Sequence, residues 1–266
     1  MPHRPYSSDL SDEQWALVEP LLPPPRPRPR GRKPSTDRRR VLDAIFYQTK
    51  NGCVWRDLPR DFPPHKTVYA YFERWRDDGT LGRVYEALHR RWRRSIGRDE
   101  DPSAGALDSR SVQAAPEAAE RGKDPNKRVV GRKQHLCVDT EGLPIAVAVT
   151  VASAHDQRAA YGLIDQAAAR SPRLAKLWAD GAYSGGPLAS HARERGVDLE
   201  VVGRPSDARE RGFVVVARRW VVERTFAWLK RCRRLVLDFE RLAETVVAFI
   251  YAALARLLLN RLAPHS

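Results

Sequence analysis

The chain has 266 residues, 42% hydrophobic and 30% charged, which excludes a wholly disordered protein and leaves length for one large domain or two modest ones. Lys and Arg total 47 against 33 Asp and Glu, a net charge of +14, and 39 of those cations are Arg. A nucleic acid is the leading partner for such a surface, with a G+C-rich coding bias contributing a share, while Cys53, Cys137 and Cys232, 84 and 95 positions apart, exclude a disulfide framework or a zinc knuckle.

The opening MPHRPYSSDLSDEQ lacks the apolar run of a signal peptide, which predicts a cytoplasmic protein. Ser11 to Gln14 reads as a capping box for a helix through Trp15, Val18 and Leu22 that ends at Pro23 to Pro25. Arg26 to Arg40 holds eight cations and one acid, and its prolines predict an extended basic arm, or else a solvated linker. Thr36 is the expected cap of a second helix carrying Val41, Leu42, Ile45 and Phe46 and stopped by Gly52. Val68, Tyr71, Phe72 and Trp75 mark a third helix; Leu81, Val84, Tyr85, Leu88 and Trp92 mark a fourth. Trp55, Trp75 and Trp92 read as packing residues. These short helices suggest an all-α, helix-turn-helix-like DNA reader, with Lys66 and Tyr69 the candidates for touching bases.

Arg98 to Pro102 is charged and marks a joint, giving domains 1–100 and 101–266. Beyond it the period changes. Gly105 to Val112 is a candidate strand, and Gln134 to Asp139 and Leu143 to Val151 flank a hairpin turn. A helix (His155 to Arg170), a strand (Leu174 to Asp180), a helix (Pro187 to Arg195) and a strand (Asp198 to Val202) follow. Long helices are expected over Ala217 to Arg234 and Leu242 to Leu262; the second is apolar nearly all round, hence buried or oligomeric, and its 11-residue uncharged core is short of the about 20 residues of a bilayer span. The second domain therefore reads as α/β, a mixed sheet flanked by helices, including the closing helices.

No phosphate-cradling glycine loop, HExxH or GxSxG occurs, which disfavours an NTPase, a dinucleotide enzyme, a zincin or a serine hydrolase. Acids at strand ends remain: Asp108 in GALDSRSV and Asp180 in KLWADGAY, where a carboxylate can reach a metal. Glu223 shares a helix face with Arg219 and Lys230, while Val222, Phe226 and Leu229 form the adjoining stripe that would seat the helix on the sheet; a surface Glu paired with Arg219 is the alternative. Asp139 is expected to be a turn acid and Asp156 a helix N-cap, and Arg132 and Lys133 either touch DNA or are solvated.

Taken in order, LSDEQWALVEPLLP, GRKPSTDRRRVLDAIFY, NGCVWRDLP, HKTVYAYFERW, ALDSRSV, GRKQHLCVDTEGLP, LWADGAY and RRWVVERTFAWLKR resemble blocks of the insertion-sequence-five family of bacterial DDE transposases, over nearly the whole chain. The resemblance implies an RNase H-like catalytic domain whose triad is Asp108, Asp180 and Glu223, with two Mg²⁺ ions, or Mn²⁺ in substitution, held by the same three acids. Arg219, Glu223 and Lys230 fit the Tyr-two-Arg-three-Glu-six-Lys pattern of related enzymes, though Val216 stands at the Tyr position. The implied activity is cleavage at terminal inverted repeats and strand transfer into target DNA, by a homodimer or larger synaptic assembly near the bacterial nucleoid, without a membrane. Arg219 and Lys230 would hold phosphates, as would Arg30, Arg32 and Lys33 in the arm. A catalytically degenerate DNA-binding regulator and an RNase H-like nuclease of recombination or repair are the alternatives.

Overall fold

Ser11 opens the first helix by a reciprocal capping box: its hydroxyl accepts from Gln14 N–H at 3.2 Å, and Gln14 Oε1 accepts from Ser11 N–H at 3.3 Å. In the computed structural model the described residues are 6–24, 36–203 and 220–264. Most of the predicted basic arm, with Arg30, Arg32 and Lys33, and also Arg219 lie outside them. Contacts divide the chain into two compact units: Met1–Arg98 with Arg231–Val236 and Glu244–Ser266, and Asp99–Lys230 with Leu237–Ala243.

The first unit is helical among its described residues: α1 (Asp12–Val18), α2 (Arg38–Asn51), α3 (His65–Asp77) and α4 (Thr80–Ser95). Asp37, not Thr36, caps α2, its carboxylate accepting from Arg39 N–H at 2.8 Å; both residue types serve this role, and the helix begins one residue later than the hydroxyl would set it. Gly52 ends α2 at φ +73°, a left-handed turn that a side chain would strain, with Arg233 packed against it. Trp75 is fully buried, while Trp55 and Trp92 are half-buried.

The last helix, Ala243–Leu262, corrects the expected boundary, because from Glu244 onward it belongs to this first unit. Its Phe249 stacks on Phe72 with centroids 4.5 Å apart and lies 6.1 Å from Trp55, Tyr251 meets Tyr85 at 5.4 Å, and Gln14 Nε2 donates to Asn260 Oδ1 and the Ala263 carbonyl. A terminal apolar helix carries no local sign of which core will bury it. Burying side chains such as Phe249, Leu254 and Leu258 is worth about 1.5–3 kcal/mol each. The helix is long and apolar enough to cross a membrane, but 67% of that stretch is buried inside the protein, the state of a core helix.

The second unit is built on a six-stranded sheet: β1 (Ala104–Gln113), β2 (Gly122–Lys123), β3 (Val130–Asp139), β4 (Pro144–Val151), β5 (Lys176–Ala179) and β6 (Asp198–Val201). β3 pairs antiparallel with β1 and β4, β2 extends the β3 edge, and β1, β5 and β6 run parallel. The crossovers are α5 (Asp156–Arg170), joining β4 to β5, and α6 (Gly186–Glu194), joining β5 to β6. Leu107, Leu177 and Ala179 bury on the side of α5 and α6, with Leu163, Ile164, Leu188 and Ala192. By strand alternation, Asp108, Arg110, Lys176 and Trp178 face the other side.

That second side receives α7 (Trp220–Lys230), the described part of the long helix expected from Ala217; it stops at Lys230 and a short 3₁₀ turn, Arg233–Leu235, follows. Val222, Phe226 and Leu229 are buried, as the apolar stripe requires. Arg110 ties α7 to β1: Nη1 donates to the Phe226 carbonyl at 3.0 Å, Nε donates to Gln134 Oε1 at 2.9 Å, and the guanidinium lies 5.3 Å from the Phe226 ring. At the hairpin tip, Gly142 has φ +78°, and a Cβ there would meet Thr225 Oγ1 and the Val221 carbonyl at 3.0 Å. Glycine is required on both counts.

Candidate active site

Register sets the two acids at corresponding positions of neighbouring chain segments. Gly105 pairs with Leu177 and Ala106 with Trp178, where the ladder ends, and two residues further along lie Asp108, within β1, and Asp180, just past the end of β5. β5 stops at Ala179, and Asp180 opens a 3₁₀ turn by accepting from Ala182 N–H at 2.9 Å. Asp108 is half-buried and accepts from the Ser109 N–H at 2.7 Å. Three residues past Asp180, the buried Tyr183 hydroxyl has its pKa raised, by burial first and then by Asp108 and Asp156, with Ser109 opposing and Asp180 adding to the rise. Three carboxylates therefore lie within electrostatic reach of one phenol, and carboxylate oxygens are the donors a hard divalent cation takes.

Glu223 lies on α7, the helix that packs on β1 and β3, and its side chain is exposed. Lys230, two turns on, is exposed at the end of α7. Among the described residues, no three His, Cys, Asp or Glu side chains converge closely enough to hold a metal ion together. Asp108, Asp180 and Glu223, all among the described residues, therefore do not form such a group in the structure. In the first unit, Lys66 and Tyr69 are both exposed on α3, with the Tyr69 ring 5.5 Å from Trp55.

Three sequence expectations change or sharpen here. Asp139 is the turn acid expected: wholly buried, its Oδ1 accepts from the Glu141 and Leu143 N–H groups at 2.9 Å each. Asp156 does not cap α5, where the cap position falls to His155 without a side-chain bond; Asp156 is the first helical residue, and its carboxylate accepts from Ser109 Oγ at 2.6 Å. Arg132 and Lys133 neither reach outward nor are solvated. Arg132, 1% exposed, pairs with Asp238 at 3.1 Å and donates to three carbonyls, and Lys133, 6% exposed, donates to the Ala154 carbonyl and faces Asp156.

Burial also tunes the neighbours. It pulls the Arg110 guanidinium down to about 10, still charged at neutral pH, and His135 down to about 4 against the opposing pull of Asp156, so that the imidazole is neutral. Sequence reasoning missed Arg110, Ser109, Asp156 and Tyr183 as neighbours of the acids. Position beside Asp108 or three residues past Asp180 was the one signal available for Ser109, Arg110 and Tyr183.

A six-stranded mixed sheet with antiparallel β4, β3 and β1 followed by parallel β5 and β6, and helices packed on it, has the architecture of the RNase H-like class of enzymes. The family described as "Transposase DDE domain" matches residues 99–258, and that described as "Putative transposase of IS4/5 family" matches residues 10–85. The chain belongs to the DDE transposases, and its first part matches the IS4/5 transposase family. It is 33% identical over 139 residues to "Putative transposase for insertion sequence element IS402" of Burkholderia cepacia, covering 48% of this chain and 64% of that protein. It is also 35% identical over 122 residues to "Insertion element IS402 uncharacterized 16.2 kDa protein" of the same organism, covering 44% of this chain and 80% of that one. Uncharacterized protein y4sN of Sinorhizobium fredii is 32% identical over 81 residues, 30% of this chain and 63% of its own length. Membership carries an RNase H-like fold, DNA as substrate and dependence on a divalent metal.

Proposed function

We propose that the chain binds the terminal inverted repeats of its element, cuts there, and joins the freed end to target DNA, with Asp108, Asp180 and Glu223 as catalytic and metal-holding residues. The observation that carries this reading is the β1–β5 register, which leads two residues on to Asp108 in β1 and to Asp180 just past β5. Bound divalent ions, Mg²⁺ or Mn²⁺ in its place, supply charge stabilisation at the attacking and departing oxygens. The two strand acids hold that charge from fixed backbone, and Glu223 contributes the third carboxylate from the helix. Water first opens a phosphodiester at the element end and releases a 3′-hydroxyl; that hydroxyl then attacks a target phosphodiester and displaces another 3′-hydroxyl. Each step exchanges one ester bond for another or for water, so no nucleotide cofactor enters.

On this reading Arg219 and Lys230 hold phosphates; Arg30, Arg32 and Lys33 add backbone contacts, and Lys66 and Tyr69 on α3 face bases in a helix-turn-helix-like reader. On this reading residues 1–100 bind the ends and residues 101 onward cut, with the closing helix built into the binding part. Two ends are joined in one event, so the working form is a dimer or larger synaptic assembly, acting at the nucleoid.

The test uses the element's own inverted repeats as a labelled duplex. Wild type nicks it in Mg²⁺ and not in EDTA, and transfers the cut end to a plasmid. A wild type that binds the ends yet cuts in neither Mg²⁺ nor Mn²⁺ would make the chain a DNA-binding regulator; cleavage of branched or hybrid duplexes in preference to the ends would make it a nuclease.

A further inference from the structure

The sheet face opposite Asp108 carries a polar cluster that the cleavage chemistry does not use. Ser109 points to that side and donates its hydroxyl to Asp156 Oδ1 at 2.6 Å. Lys133 Nζ stands 3.3 Å from the same carboxylate oxygen and His135 Nδ1 3.7 Å from it, while His135 Nε2 is held at 2.9 Å from Thr150 Oγ1. Through its backbone, Ser109 also donates to Asp108 Oδ1 at 2.7 Å. One residue therefore joins two acids on opposite faces of the sheet.

An acid in the first turn of a helix ordinarily needs no partner beyond the helix dipole. Asp156 is placed differently, because its oxygens are engaged by side chains of β1 and β3, and Lys133 opposite it is almost wholly buried. A buried cation of that kind fixes the carboxylate, and the carboxylate fixes the Ser109 hydroxyl. With its side chain held on one face, the Ser109 peptide presents its N–H to Asp108 in a set direction.

We infer that Asp156 is a positioning residue for the metal site, acting through Ser109 to orient the Asp108 carboxylate. The inference rests on the reading of Asp108 as a metal ligand. Partners one shell out from a metal commonly change its affinity by about 10- to 100-fold when removed. Asp156→Asn keeps an oxygen that accepts from Ser109 and removes the counter-charge of Lys133, whereas Asp156→Ala removes both. Loss of stability should follow the charge and appear in both variants; loss of metal affinity should follow the acceptor and appear in the Ala variant alone.

The experiment is a Mn²⁺ titration of the purified full chain without DNA, read by water-proton relaxation, alongside urea unfolding in EDTA. Expected are a rise of about tenfold in the Mn²⁺ dissociation constant for Ser109→Ala and Asp156→Ala, and less than about threefold for Asp156→Asn. Ser109→Ala leaves the Lys133–Asp156 pair in place and carries the test if Asp156→Ala does not fold. Wild-type affinity in Ser109→Ala would overturn the inference while the ligand role of Asp108 stood, provided Asp108→Asn abolished binding. Equal losses in Asp156→Asn and Asp156→Ala would overturn it too, because charge and not the hydrogen bond would then govern affinity. Undiminished binding in Asp108→Asn would overturn the ligand reading and the inference with it.

Discussion

Asp108 lies within β1 and Asp180 just past the end of its parallel neighbour β5, each two residues beyond the last paired positions, Ala106 and Trp178. Two carboxylates that share a site repel each other, and a shared cation relieves the repulsion. Replacing either by Asn keeps its size and hydrogen-bonding capacity and removes the charge. Asp108→Asn, Asp180→Asn and Glu223→Gln should each lower end cleavage by about a thousandfold or more, several kcal/mol of lost charge stabilisation, with end binding in Ca²⁺ nearly unchanged. Asp139→Asn, whose side-chain oxygen can still accept from the turn N–H groups, should cut normally. A dead Asp139→Asn would move the assignment to β3.

Arg132 and Asp238 form an ion pair with both side chains 1% exposed, and the guanidinium also binds the carbonyls of Glu120, Glu240 and Arg241. This arginine staples the segment after α7 to β3. Removing one partner leaves a buried charge, so Arg132→Met or Asp238→Leu should each cost about 3–5 kcal/mol in urea unfolding, and the double variant should cost much less than their sum. Additive losses would show that the pair is not coupled.

Two buried groups give opposite pH dependences. His135 is neutral in the folded protein down to about pH 4, so the unfolded chain binds the extra proton first; its contribution is full above pH 6.5 and is lost between 6.5 and about 4, roughly 3 kcal/mol in all. Asp43 runs the other way. Burial pushes its carboxyl up to about 6 although Leu10 N–H and Arg40 bind it, so the folded state holds the extra proton and gains stability as pH falls from about 6 to 3.8. Urea unfolding from pH 7 to 4 should therefore show His135→Gln losing less stability than wild type on acidification, and Asp43→Asn losing more. Parallel pH profiles for wild type and both variants would refute the assignment.

The basic arm is tested by salt. If Arg30, Arg32 and Lys33 each neutralise one phosphate, changing all three to Ala should shrink the log–log salt slope of end binding by about 3, at about 0.9 per contact, with sequence preference kept. An unchanged slope would make the arm a linker. Lys66→Ala and Tyr69→Ala should instead relax sequence preference.

Signals that act within a few residues were legible. The Ser11 capping box, the Gly52 stop, the Asp139 turn and Asp180 at the end of its strand all depend on neighbours in sequence, and the structure has each of them, whereas Asp108, expected at a strand end, lies in the middle of β1. What was hidden depends on distant partners. Arg132 and Lys133 read as outward cations until Asp238 and Asp156 are brought to them from 106 and 23 residues away. The closing helix likewise shows an apolar surface that Phe72 and Tyr85 fill, and nothing in its own residues names them. Asp156 carries the ordinary signature of a helix cap, and only the β1 hydroxyl of Ser109 reveals its other engagement.

The most direct measurement of the central claim is a change of metal preference. Asp108→Cys and Asp180→Cys replace an oxygen donor by a thiolate, which suits softer ions than Mg²⁺. Nicking of the inverted-repeat duplex by either variant should be absent in Mg²⁺ and restored in Mn²⁺, while Glu223→Cys tests the helix acid in the same way. Inactivity in both ions for the strand variants, or equal activity in both, would contradict the account that these carboxylates hold the metal at which the DNA is cut.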